Sequence, residues 1–246
     1  MNTTLRDEIQ SYGRVALCLS AGMSSCVLAA IAQQVLGANN VLAVSIETPF
    51  VPQGARERCA QIAAHLQLEH IVISCDFGSM PPSMLSERPE RFYRYKAYIY
   101  SRLREVADLQ GISHILDASN AEPQLIESYE AQDNERARQE FGIMSPFLNC
   151  GLDLDAIRHE GRIYQLDEAF LRGSADSCLL SRFACSIPIT ERDLMQIRQV
   201  EASYRALGFV NTRLRMLAWH CLVLEVPRVE LRAMCMMHPP FTIMVV

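Results

Sequence analysis

The first half of this chain alternates between two kinds of sequence. Short apolar, partly β-branched runs ("RVALCLS", "NVLAVSIE", "HIVISCD", "ISHILDASN") are separated by helical patterns from about Ser24 to Leu36, over "QGARERCAQIAAHLQ" and over "RPERFYRYKAYIYSRLREVADLQG". Runs of this kind read as strands covered on both faces, and strand-helix alternation joins such strands in parallel. The expected class is α/β, a parallel sheet of the five-stranded type with helices on both faces. Around Ser145 the pattern breaks into short, irregular pieces. A clear helix follows over "TERDLMQIRQVEASYRALG", with a capping box at Thr190 and Asp193 and a stop at Gly208, and then strand-like sequence, "VNTRLRMLAWHCLVLEV", closed by Pro227. A boundary near residue 150 is expected, with a nucleotide-binding-like domain over 1–150 and a small α+β unit over 151–246.

Composition narrows the function classes. Half of the residues are hydrophobic, enough for a real core, and the net charge of -5 gives no electrostatic grip on a phosphate backbone, so no nucleic-acid partner is expected. The run "RFYRYKAYIYSR" mixes bases with aromatics, but its spacing fits an amphipathic helix better than a base-stacking platform. The nine cysteines contain no CxxC pair and several sit inside apolar runs, which points to a reducing, cytoplasmic setting. The six histidines show no HxxxH or HxH spacing, so no zinc site is assigned. No signal-type segment opens the chain, and no window reaches the about 18 apolar residues of a membrane span.

In an open parallel sheet ligands bind beyond the carboxyl ends of the strands, which directs attention to "SAGMSS", "ETPFVP", "CDFGSMPPS" and "ASNAEP". The first offers Ser20, Gly22, Ser24 and Ser25 at a strand-to-helix junction, where backbone N–H groups and hydroxyls suit a phosphate. It lacks the GK[ST] ending of a Walker A loop. From this stretch alone, a phosphate cradle and a turn that merely collects small residues are equally good readings.

Seven pieces in order carry a resemblance: "LSAGMSS", "ETPFVP", "DASNAE", "SPF" near 145, "SADSCLLSR", "PIT" leading into a helix with "VEA", and "TRLR". Together they resemble the PP-loop pyrophosphatases, whose loop reads SGGxDS, and more closely their ATP-dependent sacrificial sulfur transferases of nickel-pincer cofactor synthesis, the LarE family. The resemblance implies an adenine nucleotide alpha hydrolase-like sheet, ATP and Mg2+, a small-molecule nucleotide substrate and a homo-oligomer. In such enzymes ATP adenylates a carboxylate of a pyridinium mononucleotide, and a cysteine attacks the activated carbonyl and gives up its sulfur.

Carried over residue by residue, the resemblance makes Cys178 the sacrificial cysteine. It assigns Ser20, Ala21, Gly22, Ser24, Ser25, Glu47 and Asn120 to the nucleotide, and Ser181, Arg182, Arg213 and Arg215 to the substrate. Glu201 and Glu225 become acids that orient substrate or hold a metal. Independently, Cys178 lies in a polar loop between Arg172 and Arg182, and a nearby cation favours thiolate. Arg213 and Arg215 alternate along a strand, so both reach one face. Glu191, Asp193 and Arg198 read as helix-surface charges.

The chain also departs from the pattern. Ala21 stands for the family's second loop glycine and Ser24 for its aspartate, while Glu122-Pro123 stands for an acidic pair. "RFYRYK" stands where many members carry CxxC, so no iron–sulfur cluster is expected. After "LEVP" the apolar tail is expected to add a short edge strand or to stay exposed. Two readings therefore stay open, an ATP-dependent sulfur transferase and a degenerate homologue serving as a non-catalytic nucleotide-binding or partner subunit.

Overall fold

The computed structural model describes residues 3–86, 90–122, 129–171, 178–209, 212–218, 221–228, 230–231 and 243–245. Its contacts divide it into two compact units, each assembled from separate stretches. The first is Met1–Thr48, Gly54–Cys75 and Phe92–Ser174, and the second is Pro49–Gln53, Asp76–Arg91 and Ala175–Val246. The position near 150 expected for a boundary falls inside the first unit.

The first unit is the α/β domain. Strands β1 (Val15–Cys18), β2 (Val41–Glu47), β3 (Glu69–Ser74), β4 (His114–Leu116) and β5 (Ile143–Met144) form one sheet in the order β3-β2-β1-β4-β5. All its pairings are parallel, with Val15 opposite Val41 on one side and His114 on the other. The order reverses between β1 and β4. Right-handed connections therefore send the helices after β1 and β2, α2 (Met23–Leu36) and α3 (Ala55–His65), to one face, and α4 (Arg91–Leu109) and α5 (Tyr129–Phe141) to the other.

The core follows this division. Val15 and Leu17 of β1 and Val41 and Ala43 of β2 join α2 and α3 in one buried cluster, together with α1 (Thr3–Tyr12) and α6 (Leu154–Ile163). Their neighbours Ala16, Leu42 and Val44 are equally buried but turn to the other face, as the two-residue period of a strand requires. Helix α2 is buried almost all round, through Cys26, Val27, Leu28, Ala29, Ala30, Ile31 and Ala32, which is why its sequence shows little amphipathic pattern. A Cβ at Gly161 of α6 would come within 2.8 Å of Val27, so glycine is what lets α6 approach α2 this closely. The amphipathic reading of "RFYRYKAYIYSR" holds: Tyr95, Ile99, Tyr100 and Leu103 of α4 are buried along one side.

The second unit is α+β. Helix α7 (Glu191–Ala206) starts on Thr190, whose hydroxyl accepts from Asp193 N–H at 3.1 Å and donates to the Asp193 carboxylate at 2.6 Å. It closes before Gly208, which has φ +95°. Strands β6 (Arg213–Ala218) and β7 (Cys221–Val226) pair antiparallel, with Arg213 opposite Glu225, so the single strand-like run is in fact a hairpin. The apolar tail does add an edge strand: β8 (Ile243–Val245) pairs parallel to β7. Buried Arg91 binds this unit's loops, donating to the carbonyls of Ser86, Ala184 and Ile187. Among the described residues, no helix is long and apolar enough to cross a membrane.

Candidate functional site

The expected site residues fall in both units. In the first, "SAGMSS" is the turn from β1 into α2, at the point where the strand order reverses and ligands of such sheets bind. Ala21 is left-handed at φ +64°, and Gly22 is the N-cap of α2 with no side-chain cap. The first backbone N–H groups of a helix have no partner within it, and here they start from buried Met23, half-buried Ser24 and buried Ser25. The loop is held from behind by its carbonyls. Leu19 C=O accepts from Ser45 Oγ at 2.8 Å and from Cys59 Sγ at 3.4 Å, and Ala21 C=O accepts from Arg58 Nε at 2.8 Å. With the Ser45 proton used on Leu19, His70 Nε2, 2.9 Å away, is the donor to Ser45. Ser25 Oγ donates to Gly22 C=O at 2.9 Å and sits 3.2 Å from Ser20 Oγ.

Arg58, which the sequence hid among the charges of α3, braces the candidate loop. Its other nitrogens donate to the carbonyls of Ala169 and Phe170 at 3.0 and 2.9 Å, and its guanidinium lies over the Phe170 ring. All three oxygens are neutral, and among the described residues Arg58 has no carboxylate partner. A positive charge thus stays behind the loop.

The strand-end acids of this unit are already engaged. Glu47, at the end of β2, accepts from Ser74 Oγ at 2.7 Å and pairs with Arg56 at 3.1 Å. Buried Asp117, which sequence reasoning left unassigned, stands just past β4 and accepts from four donors. These are Tyr100 OH (2.6 Å), Ser119 Oγ (2.8 Å), Ser119 N–H (3.1 Å) and Ser145 Oγ (2.6 Å). Burial and the Asp117 charge push the Tyr100 phenol well above its usual range. Asn120 closes the same loop by accepting from Glu122 N–H at 3.1 Å.

In the second unit Cys178 is half-buried at the head of a short 3-10 turn, Leu179–Arg182. Its carbonyl accepts from Ser181 N–H at 3.0 Å and Ser181 Oγ at 2.9 Å, and the next residue is fixed by Leu179 N–H to Phe50 C=O at 2.8 Å. Arg182 is fully buried. Its Nε donates to Glu201 Oε1 at 2.8 Å and its Nη2 lies 3.4 Å from Oε2, while Leu214 N–H also donates to Oε1 at 3.0 Å. The pair ties the cysteine turn to α7 and β6. Arg213 and Arg215 share a half-exposed face, as their spacing predicts; Arg215 pairs with Glu225 and donates to Ser181 C=O at 2.7 Å. Arg198 corrects the reading of a surface charge, because it donates to the carbonyls of Pro49 and Val51 and so holds the "ETPFVP" loop. Arg172, Ser177 and Pro123 lie outside the described residues.

The cysteines sort by environment. Loss of solvent pushes the Cys18 thiol up to about 12 and those of Cys26 and Cys150 to about 11, and it raises Cys59 as well. These four stay protonated at neutral pH and are poor nucleophiles.

The sequence model of NAD synthase matches residues 1–110, the part that carries β1 to α4 and the loop. An uncharacterised protein of Synechocystis sp. is 24% identical over 211 residues, covering 86% of this chain and 76% of that protein. The pyridinium-3,5-bisthiocarboxylic acid mononucleotide synthase of Lactiplantibacillus plantarum is 24% identical over 215 residues, 86% of this chain and 74% of the synthase. Both the NAD synthase match and this similarity agree with the resemblance to the PP-loop superfamily that the loop carries. An uncharacterised protein of Methanocaldococcus jannaschii is 22% identical over 205 residues, covering 83% of this chain and 74% of that protein.

The Mg2+ that the resemblance implies for a PP-loop protein needs oxygen ligands, normally one or two carboxylates beside the phosphates. The donor set here does not fit it. Ser24 offers a neutral hydroxyl, Glu47, Glu201 and Glu225 face Arg56, Arg182 and Arg215, and no group of three or more His, Cys, Asp or Glu suited to a metal occurs among the described residues.

Ala21 is a usable probe of this loop. A left-handed L-residue costs about 1–2 kcal/mol relative to glycine, while glycine gives back about 0.5–1 kcal/mol in chain entropy and about 0.8 kcal/mol for the lost buried methyl. These terms nearly cancel. Ala21→Gly should shift stability by less than about 1 kcal/mol in urea denaturation, so that any change in ligand binding reports on the loop itself.

Proposed function

We propose that this protein is a PP-loop ATP-dependent sulfur transferase that thiolates a pyridinium mononucleotide carboxylate, with Cys178 as sulfur donor. The observation that carries the reading is the placement of Cys178: it heads a turn anchored by the buried Arg182–Glu201 pair, whereas Cys18, Cys26, Cys59 and Cys150 are held as thiols. Kinship with a named pyridinium-3,5-bisthiocarboxylic acid mononucleotide synthase supports the substrate class. The loop residues Ser20, Ala21, Gly22, Ser24 and Ser25, with Glu47 and Asn120, take the nucleotide. Arg213 and Arg215 take the substrate's phosphate, and Ser181, Arg182, Glu201 and Glu225 frame the turn and the arginine face. A cytoplasmic homo-oligomer goes with this reading.

The substrate carboxylate takes the adenylyl group and pyrophosphate leaves. Cys178 Sγ then attacks the acyl carbon and AMP departs, which leaves a thioester. Removal of the Cys178 Cα proton breaks the Cβ–Sγ bond, whose electron pair leaves with the thiocarboxylate, and dehydroalanine remains at 178. No oxidant or reductant is consumed. Cys178→Ser should keep substrate-dependent pyrophosphate release and lose thiolated product, followed by phosphate assay and mass spectrometry. A variant that still makes thiolated product would overturn the assignment of Cys178.

The altered loop favours a second reading, a nucleotide-binding subunit without turnover, because Ala21 and Ser24 replace the glycine and the acid of the family's loop. Its signature is ATP binding without pyrophosphate release.

A further inference from the structure

We infer that the nucleotide loop of this protein takes the polyphosphate of its ligand without a divalent metal held by the chain. The inference rests on nucleotide binding at that loop, as proposed above, and turns on a count of carboxylates. Asp117 accepts four hydrogen bonds, as many as an ionised carboxylate has lone-pair sites. Glu47 is taken by Arg56 and Ser74, Glu201 by Arg182 and Leu214 N–H, and Glu225 by Arg215. Freeing Asp117 for a metal would strand buried donors, and freeing Glu201 or Glu225 would break an arginine pair; Glu47 is held more loosely, by partners exposed to solvent. Two further acids follow strand ends: Asp76, past β3, accepts from Ser79 N–H at 2.7 Å, and Glu122, past β4, makes a long contact, 3.5 Å, to Leu154 N–H.

The charge around the loop has the sign a polyphosphate needs. The first N–H groups of α2 carry its positive end, Ser20, Ser24 and Ser25 add neutral hydroxyls, and the Arg58 charge behind Ala21 is balanced by no carboxylate among the described residues. In a loop with an aspartate, the metal cancels repulsion between acid and phosphate. Here there is no such repulsion, and a metal would only compete for the phosphate oxygens.

The test is ATP binding by calorimetry on the full chain, in excess Mg2+ and in EDTA at matched ionic strength. The expected result is an affinity in EDTA within about threefold of that in Mg2+, or tighter. Ser24→Asp should reverse this and bind about tenfold better with Mg2+, while Glu122→Gln should leave both affinities unchanged. Wild-type binding that requires Mg2+ would overturn the inference and leave the nucleotide reading intact. Absence of ATP binding in both conditions would overturn the nucleotide reading, and the inference with it.

Discussion

Asp117→Ala should destabilise the folded protein by on the order of 2–6 kcal/mol, because it strands two buried donors, Tyr100 OH and Ser145 Oγ, at about 1–3 kcal/mol each. The carboxylate is the knot that ties α4, the loop after β4 and the residue after β5, and Tyr100, Asp117 and Ser145 are all buried. Asp117→Asn keeps the shape and one acceptor oxygen, and the hydroxyls can turn to accept from its amide, so the loss should fall to about 1–2 kcal/mol. Urea unfolding of both variants measures the difference. Equal losses for Ala and Asn would mean that the charge, not the count of acceptors, is what the site requires.

The second large effect lies in the other unit. Glu201→Gln removes the carboxylate charge that faces fully buried Arg182, and breaking one side of such a pair costs about 3–5 kcal/mol. The paired replacement Arg182→Met with Glu201→Leu removes both charges along with their desolvation, and should recover most of that loss. Recovery would identify the pair as a device that fixes the cysteine turn rather than as a source of net stability. In that case the double variant, though folded, should be impaired in sulfur transfer, which a purely structural role elsewhere would not produce. A double variant as unstable as Glu201→Gln would contradict this account of the pair.

How much of this was legible in the sequence follows from the range of the forces involved. The sheet was readable because buried parallel strands need unbroken apolar runs such as "NVLAVSIE", and each run is flanked by helical spacing. The loop after β1 was readable as a site because a strand-to-helix turn of small residues has a local signature. The hairpin within "VNTRLRMLAWHCLVLEV" was less clear, since two antiparallel strands of this composition look like one run until their pairing is known. What escaped were long side chains whose partners are far along the chain. Arg58 reaches Ala21, Ala169 and Phe170, Arg198 reaches Pro49 and Val51, and Arg91 reaches Ala184 and Ile187. In sequence each is one more helix charge, because the carbonyls that select it come from loops that periodicity does not describe. The same holds for Asp117, whose four donors come from three separate segments, and for the two units, since Pro49–Gln53 and Asp76–Arg91 pack with the C-terminal residues.

Sulfur donation by Cys178 is tested most directly by intact-protein mass spectrometry. The purified chain is incubated with ATP, with and without magnesium, and with the carboxylated pyridinium nucleotide. The expected result is a mass loss equal to a single hydrogen sulfide per chain, located by peptide mapping at Cys178 and absent when ATP is omitted. A chain that turns out thiolated nucleotide while its mass stays unchanged, or that loses sulfur from another cysteine, would contradict the proposed chemistry.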